Sequence, residues 1–246
     1  MPEYIWGRNP VLETLRSPRP IKRLLLAEGH RDAPVLAAIL AEAERRHIPI
    51  ETASRARLDQ FSHGAVHQGC LIVVEERRYA ALEEILACAA DRSEPPFLLL
   101  LDAIQDVNNL GSLLRTAEAA GVHGVVIPQH RAADVNATVV KTSAGATEHL
   151  LIAQETNLSR TIDLLKKQNI WVIGLAGEAQ TRYSDADLTG PLALVVGNEG
   201  KGISRLVREH CDLLVSLPMR GQINSLNAAV AGSIVLYEAL RQREKH

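Results

Sequence analysis

Apolar residues in the C-terminal two thirds of the chain form short, nearly continuous runs that alternate with segments of helical spacing. The runs predict strands at residues 97–101, 122–128, 149–153, 170–176, 192–197 and 213–217. Helices are predicted between them at residues 111–120, 158–168 and 203–210, and a long last helix from about 225 to 243. Uninterrupted apolar strands separated by helices are typical of a parallel sheet covered on both faces.

The first 75 residues repeat this alternation on a smaller scale. Strands are predicted at residues 21–27, 47–51 and 70–75, and helices at residues 35–46 and 55–61. Residues 77–95 mix charged residues with alanine and end at the first residue of a double proline, which is typical of a connection, although residues 82–90 could form one helix within it. The pattern therefore predicts a small α/β domain over residues 1–76, a linker over 77–95 and a larger α/β domain over 96–246.

Composition narrows the class of protein. Hydrophobic residues make up 46% of the 246 residues and charged residues 23%, which is the balance of a soluble globular protein. The formal net charge is -2, but residues 1–78 hold 12 Lys and Arg against 10 Asp and Glu. This slight excess favours the N-terminal part as the one that meets phosphate.

Several classes of site and location are excluded by what the sequence lacks. The three cysteines are far apart, so neither a disulfide framework nor a zinc site is expected. His63 and His67 have no acidic partner set in the sequence, so no metal is expected there either, and Cys70 is predicted to be core. No signal peptide and no apolar segment approaching 18 residues is visible, so we expect a cytoplasmic protein without a membrane contact.

Three loops that follow predicted strands are rich in polar residues and glycine, and ligands of parallel sheets bind at such loops. The first, residues 102–111, precedes Arg115, which the predicted helix places near its first turn. A cation is disfavoured there by the helix dipole, so Arg115 is expected to have a phosphate or carboxylate partner. The alternative is that Asp106 or Asn109 only caps the helix.

The second loop, residues 197–202, has three glycines in six residues. It matches neither a Walker motif nor a GxGxxG fingerprint, and Glu199 would repel a phosphate. The alternative is a plain glycine-rich turn.

In the third loop, residues 218–227, Asn224 or Ser225 is a natural helix cap. The small residues that follow, 228–232, permit close packing on the chain's own sheet or on a partner chain.

Taken in this order, the three loops resemble the three motifs of the SpoU–TrmH family of RNA ribose methyltransferases. The matching residues are Asn109-Leu110-Gly111 with Arg115-Thr116-Ala117, then residues 197–202, then Leu217-Pro218-Met219 with Ser225-Leu226-Asn227. Residues 5–11, 67–69, 119–123 and 143–146 are similar to the subgroup that methylates guanosine in 23S ribosomal RNA. Val107 departs from the pattern, since the family usually has proline there.

The resemblance implies a deep trefoil knot in the C-terminal domain, an N-terminal RNA-binding domain, a homodimer with active sites completed across the interface, and S-adenosylmethionine as the cofactor. The implied cofactor-binding residues are Gly197, Asn198, Gly202, Leu217, Met219 and Leu226. The implied catalytic residues are Arg115, Asn109, Glu199, Ser225 and Asn227. Our candidates for RNA contact are Arg8, Lys22, Arg23, His63 and His67.

Three other functions remain open at this point. One is a transfer-RNA methyltransferase of the same family, against which the separate N-terminal unit argues. Another is an RNA-binding or ribosome-assembly protein without catalysis, against which the intact motifs argue. The third, a generic nucleotide-binding α/β enzyme, is disfavoured because the phosphate-binding patterns are missing.

Overall fold

The fold comes from a computed structural model, which describes residues 2–29, 33–198 and 200–245. The N-terminal part contains β1 (Glu3–Trp6), α1 (Arg8–Arg16), β2 (Ile21–Ala27), α2 (Pro34–Arg45), β3 (Ile50–Ala53), α3 (Arg55–Phe61) and β4 (Cys70–Val74). It continues with α4 (Leu82–Asp91), β5 (Phe97–Asp102), α5 (Val107–Ala119), β6 (Gly124–Pro128) and α6 (Ala137–Thr142). The last part contains β7 (Leu151–Glu155), α7 (Leu158–Lys167), β8 (Trp171–Leu175), β9 (Thr181–Arg182), β10 (Leu192–Gly197), α8 (Arg205–His210), β11 (Leu213–Ser216) and α9 (Ala228–Arg243). Among the described helices, none combines the length and hydropathy that a membrane span requires.

The chain divides into two compact units. The first consists of the residues up to Arg78 together with Val135–His149, and the second of Tyr79–Asp134 and the residues from Leu150 onward. This division differs from the predicted one at two places. The segment predicted as a linker contains α4, whose Leu82 and Ile85 are buried in the core of the second unit. Residues 135–149, predicted as part of the C-terminal domain, belong to the first unit.

The first unit is built on a sheet of order β1-β4-β2-β3, in which β4 runs antiparallel to both neighbours and β3 parallel to β2. Both faces of this sheet are buried, one under α1 and α2 and the other around Trp6 and Leu58. Cys70 is buried on β4 as predicted, and burial raises the pKa of its thiol to about 12.

A buried ion network ties residues 135–149 into this unit. The side chain of Glu148 is 1% exposed and accepts from the guanidinium groups of both Arg19 and Arg77. Arg77 also donates to the backbone oxygen of Thr147, at 2.9 Å. A carboxylate is stable at such depth because two cations and their hydrogen bonds replace its lost hydration.

The second unit is built on a sheet of order β7-β6-β5-β10-β8-β11-β9, in which every described pair is parallel. This confirms the prediction of a parallel sheet.

The side chain of His123, which contacts the first residue of β5, is only 1% exposed. Its Nδ1 accepts from the amide of Phe97 at 3.0 Å, and its Nε2 lies 3.0 Å from Glu94. Burial, which outweighs the effect of Glu94, lowers the pKa of His123.

Two helices begin three or four residues away from their predicted starts. α5 begins at Val107 because the carboxylate of Asp106 accepts from the amides of Asn108 and Asn109, at 2.9 and 2.8 Å. α9 begins at Ala228, capped by Asn227 rather than by Asn224 or Ser225. Arg115 therefore lies on the third turn of α5, and the prediction that it opposes the dipole of the first turn was wrong.

Candidate active site

A cavity of about 180 Å³ lies at the carboxyl ends of the central strands of the second unit. It is bounded by the ends of β8, β10 and β11, the loops that follow them and the first turns of α9. Its lining includes all six predicted cofactor-binding residues, Gly197, Asn198, Gly202, Leu217, Met219 and Leu226. Ser225, predicted as catalytic, also lines it. No described lining residue carries a charge.

The loop after β10 is folded tightly back on itself. The amide of Asn198 donates to the oxygen of Gly202 at 3.1 Å, and the amide of Gly202 donates to the oxygen of Asn198 at 2.8 Å. A Cβ added to Gly197 would lie 2.2 Å from the carbonyl carbon of Gly202, and Gly202 itself has a φ of +65°. Lack of space therefore requires glycine at position 197, and the positive φ favours glycine at position 202.

The end of β5 holds this loop at two points. The buried carboxylate of Asp102 accepts from the amide of Ser204 at 2.6 Å, and the oxygen of Ala103 accepts from the side-chain amide of Asn198 at 3.1 Å. Ala103 has a φ of +59°, a conformation that is uncommon for residues other than glycine. Sequence reasoning missed both residues, although an aspartate at the end of a buried apolar strand was a visible signal.

The amino ends of α5 and α9 meet through a pair of asparagines. Asn227 donates from Nδ2 to Oδ1 of Asn109 at 2.9 Å, while its own Oδ1 accepts from the amides of Ala229 and Val230. Further along, the hydroxyls of Thr116 and Ser233 are 2.9 Å apart. The structure thus brings Asn109 and Asn227 together at the start of both helices.

Close packing of α9 explains its small residues. A Cβ added to Gly232 would lie 2.6 Å from Leu113 of α5 and 3.1 Å from Val196 of β10. The predicted close approach is therefore made on the chain's own helix and sheet.

Arg115 stands apart from this arrangement. It lies six residues beyond Asn109, which is about 9 Å along the helix and about a third of a turn around it. Its side chain is exposed, does not line the cavity and has no hydrogen-bond or ion-pair partner in the ranges that the structure describes. Glu199, the remaining predicted catalytic residue, lies outside the described residues.

The predicted RNA-contact residues separate into two clefts of the first unit. Arg8 and His67 line one of about 510 Å³, and Lys22 and Arg23 line another of about 310 Å³. His63 is exposed and precedes the loop of the larger cleft. His67 is mostly buried; its Nε2 lies 3.1 Å from Asp59 and its Nδ1 accepts from the amide of Gly69 at 3.1 Å. Its ring therefore shapes the loop rather than offering a free side chain.

Comparisons with known proteins agree with these features. The model of the SpoU rRNA methylase family matches residues 96–237, and that of the RNA 2'-O ribose methyltransferase substrate-binding domain matches residues 4–80. The chain is 46% identical to the 23S rRNA (guanosine-2'-O-)-methyltransferase RlmB of Pectobacterium atrosepticum, over 99% of both chains.

Among solved structures, the chain is similar to the SpoU methyltransferase AviRb from Streptomyces viridochromogenes in complex with the cofactor AdoMet. The TM-score is 0.82 at 26% identity, over 100% of this chain and 92% of the other. A TrmH/SpoU tRNA-modifying enzyme of A. aeolicus matches 62% of this chain and 77% of its own, with a TM-score of 0.56 at 27% identity. The expected fold class is confirmed, and the chain belongs to the SpoU rRNA methylase family.

Proposed function

We propose that this protein transfers a methyl group from S-adenosylmethionine to the 2′-hydroxyl of a guanosine in 23S ribosomal RNA. The observation that carries the proposal is the single cavity lined by all six predicted cofactor-binding residues. Similarity over 99% of the chain to a protein named as a 23S rRNA guanosine methyltransferase supports the substrate. We accordingly propose that the protein acts in the cytoplasm, where ribosomal RNA is modified.

The cavity fits this cofactor better than it fits a nucleotide. Its described lining is uncharged and mostly apolar, with glycine backbone at Gly197 and Gly202, whereas a phosphate would need cations or a cradle of amides. The cofactor, when bound, supplies an electrophilic methyl group on a sulfonium. Gly197, Leu217 and Leu226 would hold it through their backbone groups, with Asn198 fixing the loop around it.

Arg115 is proposed to act on the RNA rather than on the cofactor. A guanidinium stays protonated at neutral pH, so Arg115 is unsuited to remove the proton of the 2′-hydroxyl. It is suited to bind the adjacent phosphate or to stabilise the negative charge that develops on the ribose oxygen. Asn109 and Asn227 hold the two helices whose amino ends border the site, and Ser225 shapes the closing loop.

We also propose that the active protein is a homodimer that uses α9. Val230, Ile234 and Tyr237 form an exposed apolar face at helical spacing, 48%, 36% and 51% exposed. Arg115 lies on α5, which packs against α9, and it does not reach the cavity of its own chain. A second copy seated on this face would bury the apolar residues and could supply Arg115 to the neighbouring cavity.

The reaction is tested by incubating purified protein with labelled S-adenosylmethionine and total RNA from a strain that lacks its own copy. We expect label in 23S RNA as 2′-O-methylguanosine. Label confined to transfer RNA would refute the substrate, although similarity to the A. aeolicus tRNA enzyme extends over only 62% of this chain. Arg115→Ala should abolish transfer while leaving cofactor affinity unchanged.

The dimer is tested by co-expressing Arg115→Ala with a variant that cannot bind cofactor, each with its own affinity tag. If Arg115 acts across the interface, the mixed dimer regains activity, because its intact cavity meets an intact arginine. No recovery in purified mixed dimers would show that Arg115 acts within its own chain.

A further inference from the structure

The larger cleft of the first unit joins two sequence motifs that the catalytic site leaves unexplained. Residues 5–11 and 67–69 meet there, because the amide of Arg8 donates to Oε1 of Gln68 at 2.9 Å. The amide of Gly7 also donates to the oxygen of Cys70, the residue after the second motif, at 3.3 Å. Gly7 has a φ of +99°, a value at which a side chain would be strained. The two motifs therefore build one local structure.

The loop along this cleft is held in an unusual conformation. His63, Gly64, Gln68 and Gly69 all have positive φ, between +52° and +80°. The two glycines adopt this conformation without strain, and His63 follows the C-cap of α3, so Gln68 is the residue whose backbone depends most on its surroundings. The buried ring of His67 holds the loop from inside, through Asp59 and the amide of Gly69.

Cations at this cleft are not neutralised by acidic partners. Arg8 donates from Nε to the neutral backbone oxygen of Gln68 at 3.4 Å, and Arg55 is exposed, with no side-chain hydrogen bond or ion pair to the described part of the chain. Lys141 donates to the backbone oxygen of Val66 at 2.7 Å, so its charge also stays available. The acidic side chain of the lining, Asp59, is engaged by His67.

The smaller cleft has less free positive charge to offer a phosphate. Arg23 is paired with Glu51 at 3.3 Å, and Glu51 itself lines that cleft beside two prolines. Lys22 is left as its main source of positive charge. The volume of the smaller cleft, about 310 Å³, is also less than the volume of about 510 Å³ of the larger cleft.

We infer that the cleft lined by Arg8, Arg55 and the loop 64–69 binds the sugar–phosphate backbone of the RNA substrate. Phosphate oxygens would be bound by the guanidinium groups of Arg8 and Arg55, since planar donors suit them. Val66, 69% exposed at the edge, offers an apolar surface to a ribose or base. Lys141 extends the site beyond residues 4–80, so the RNA contacts include a segment outside the matched substrate-binding domain.

This inference rests on the proposed function but is tested separately from catalysis. Full-length Arg8→Ala, Arg55→Ala and Lys141→Ala variants would be titrated with unmodified 23S RNA transcript at several KCl concentrations. Each lost phosphate contact should weaken RNA binding about 5- to 10-fold and lower the salt slope by about 0.7–0.9. Arg45→Ala, an exposed arginine of the same unit paired with Glu42, is the matched control and should bind RNA normally.

The affinity for S-adenosylmethionine should be unchanged in all three cleft variants, because the cofactor cavity is lined by residues of the second unit. The exposed side chain of Arg55 has no hydrogen bond or ion pair with any described residue, so Arg55→Ala is expected to fold normally and tests the cleft alone. Wild-type RNA binding by Arg8→Ala and Arg55→Ala would overturn the inference, as would an equal loss for Arg45→Ala or a loss confined to Lys22→Ala. Failure of the wild type to methylate RNA would refute the proposed function instead. The comparison of RNA affinity between the cleft variants and Arg45→Ala would still be valid.

Discussion

Asp102 is the residue through which we expect the cofactor loop to be most directly disturbed. Its carboxylate is buried at the end of β5 and accepts from the amide of Ser204, just beyond the glycine loop. Asp102 also lies directly opposite Gly197 in the β5–β10 register. Asp102→Ala removes this hydrogen bond and leaves the loop without one of its two attachments to β5.

The size of the effect follows from the kind of bond that is lost. A hydrogen bond to a charged group contributes about 1.5–3 kcal/mol, and leaving the amide of Ser204 unpaired costs a similar amount. If this free energy appears fully in binding, the dissociation constant of S-adenosylmethionine rises about 10- to 150-fold. Asp102→Asn keeps an acceptor oxygen, so a loss of about 1 kcal/mol, less than tenfold, is expected.

Isothermal titration with S-adenosylmethionine, beside thermal unfolding, measures both consequences. The matched control is Asp212→Ala, because Asp212 also accepts from a backbone amide, that of Val172 at 2.9 Å, but before β11 and away from the cavity. We expect it to lower the melting temperature without changing cofactor affinity. Unchanged affinity in Asp102→Ala, or an equal change in Asp212→Ala, would refute a positioning role.

Three further predictions concern other parts of the fold. Gly197→Ala should abolish cofactor binding, because the new Cβ would lie 2.2 Å from backbone. Gly177 lines the same cavity with open space around it, so Gly177→Ala should leave the melting temperature unchanged. Glu148→Gln should destabilise the first unit by about 3 kcal/mol, since the buried Arg77 loses its charged partner and Arg19 keeps only Glu3. Trp6 fluorescence during urea unfolding, in a Trp171→Phe background, reports this, and an unchanged midpoint would contradict it. His123→Asn should flatten the pH dependence of the free energy of unfolding. Because the pKa of His123 is lowered in the folded protein, the unfolded chain binds this proton first, and wild-type stability falls as pH drops below about 6.5. Equal slopes of stability against pH for both proteins between pH 7.5 and 5.5 would show the reasoning to be wrong.

The strands of the second sheet were predictable because each is a buried apolar run. The prediction at residues 192–197 coincides with β10, and that at residues 97–101 stops one residue short of the end of β5. β1, α1 and α6 were missed, since they are short and lack a clear apolar period. Local pattern therefore identifies an element best where both of its faces are buried.

Helix starts and long-range attachments were less predictable. Residues 224–227 contain three side chains that can cap a helix, and Asn227 is the one that also bonds to Asn109, 118 residues away. The bond between Asp102 and Ser204 spans 102 residues in the same way. The cavity residues were found through their resemblance to a family, whereas these attachments depend on tertiary contacts that no local pattern contains.

The membership of Val135–His149 in the first unit has a consequence for building chimeric enzymes. Because this segment lies within the residues matched by the methylase family model, a conventional exchange at residue 80 would leave it behind with the recipient. The transplanted unit would then lack the carboxylate of Glu148, which is the charged partner of Arg77 and, together with Glu3, of Arg19. A specificity swap between relatives should therefore transfer both stretches of chain together, as a discontinuous graft.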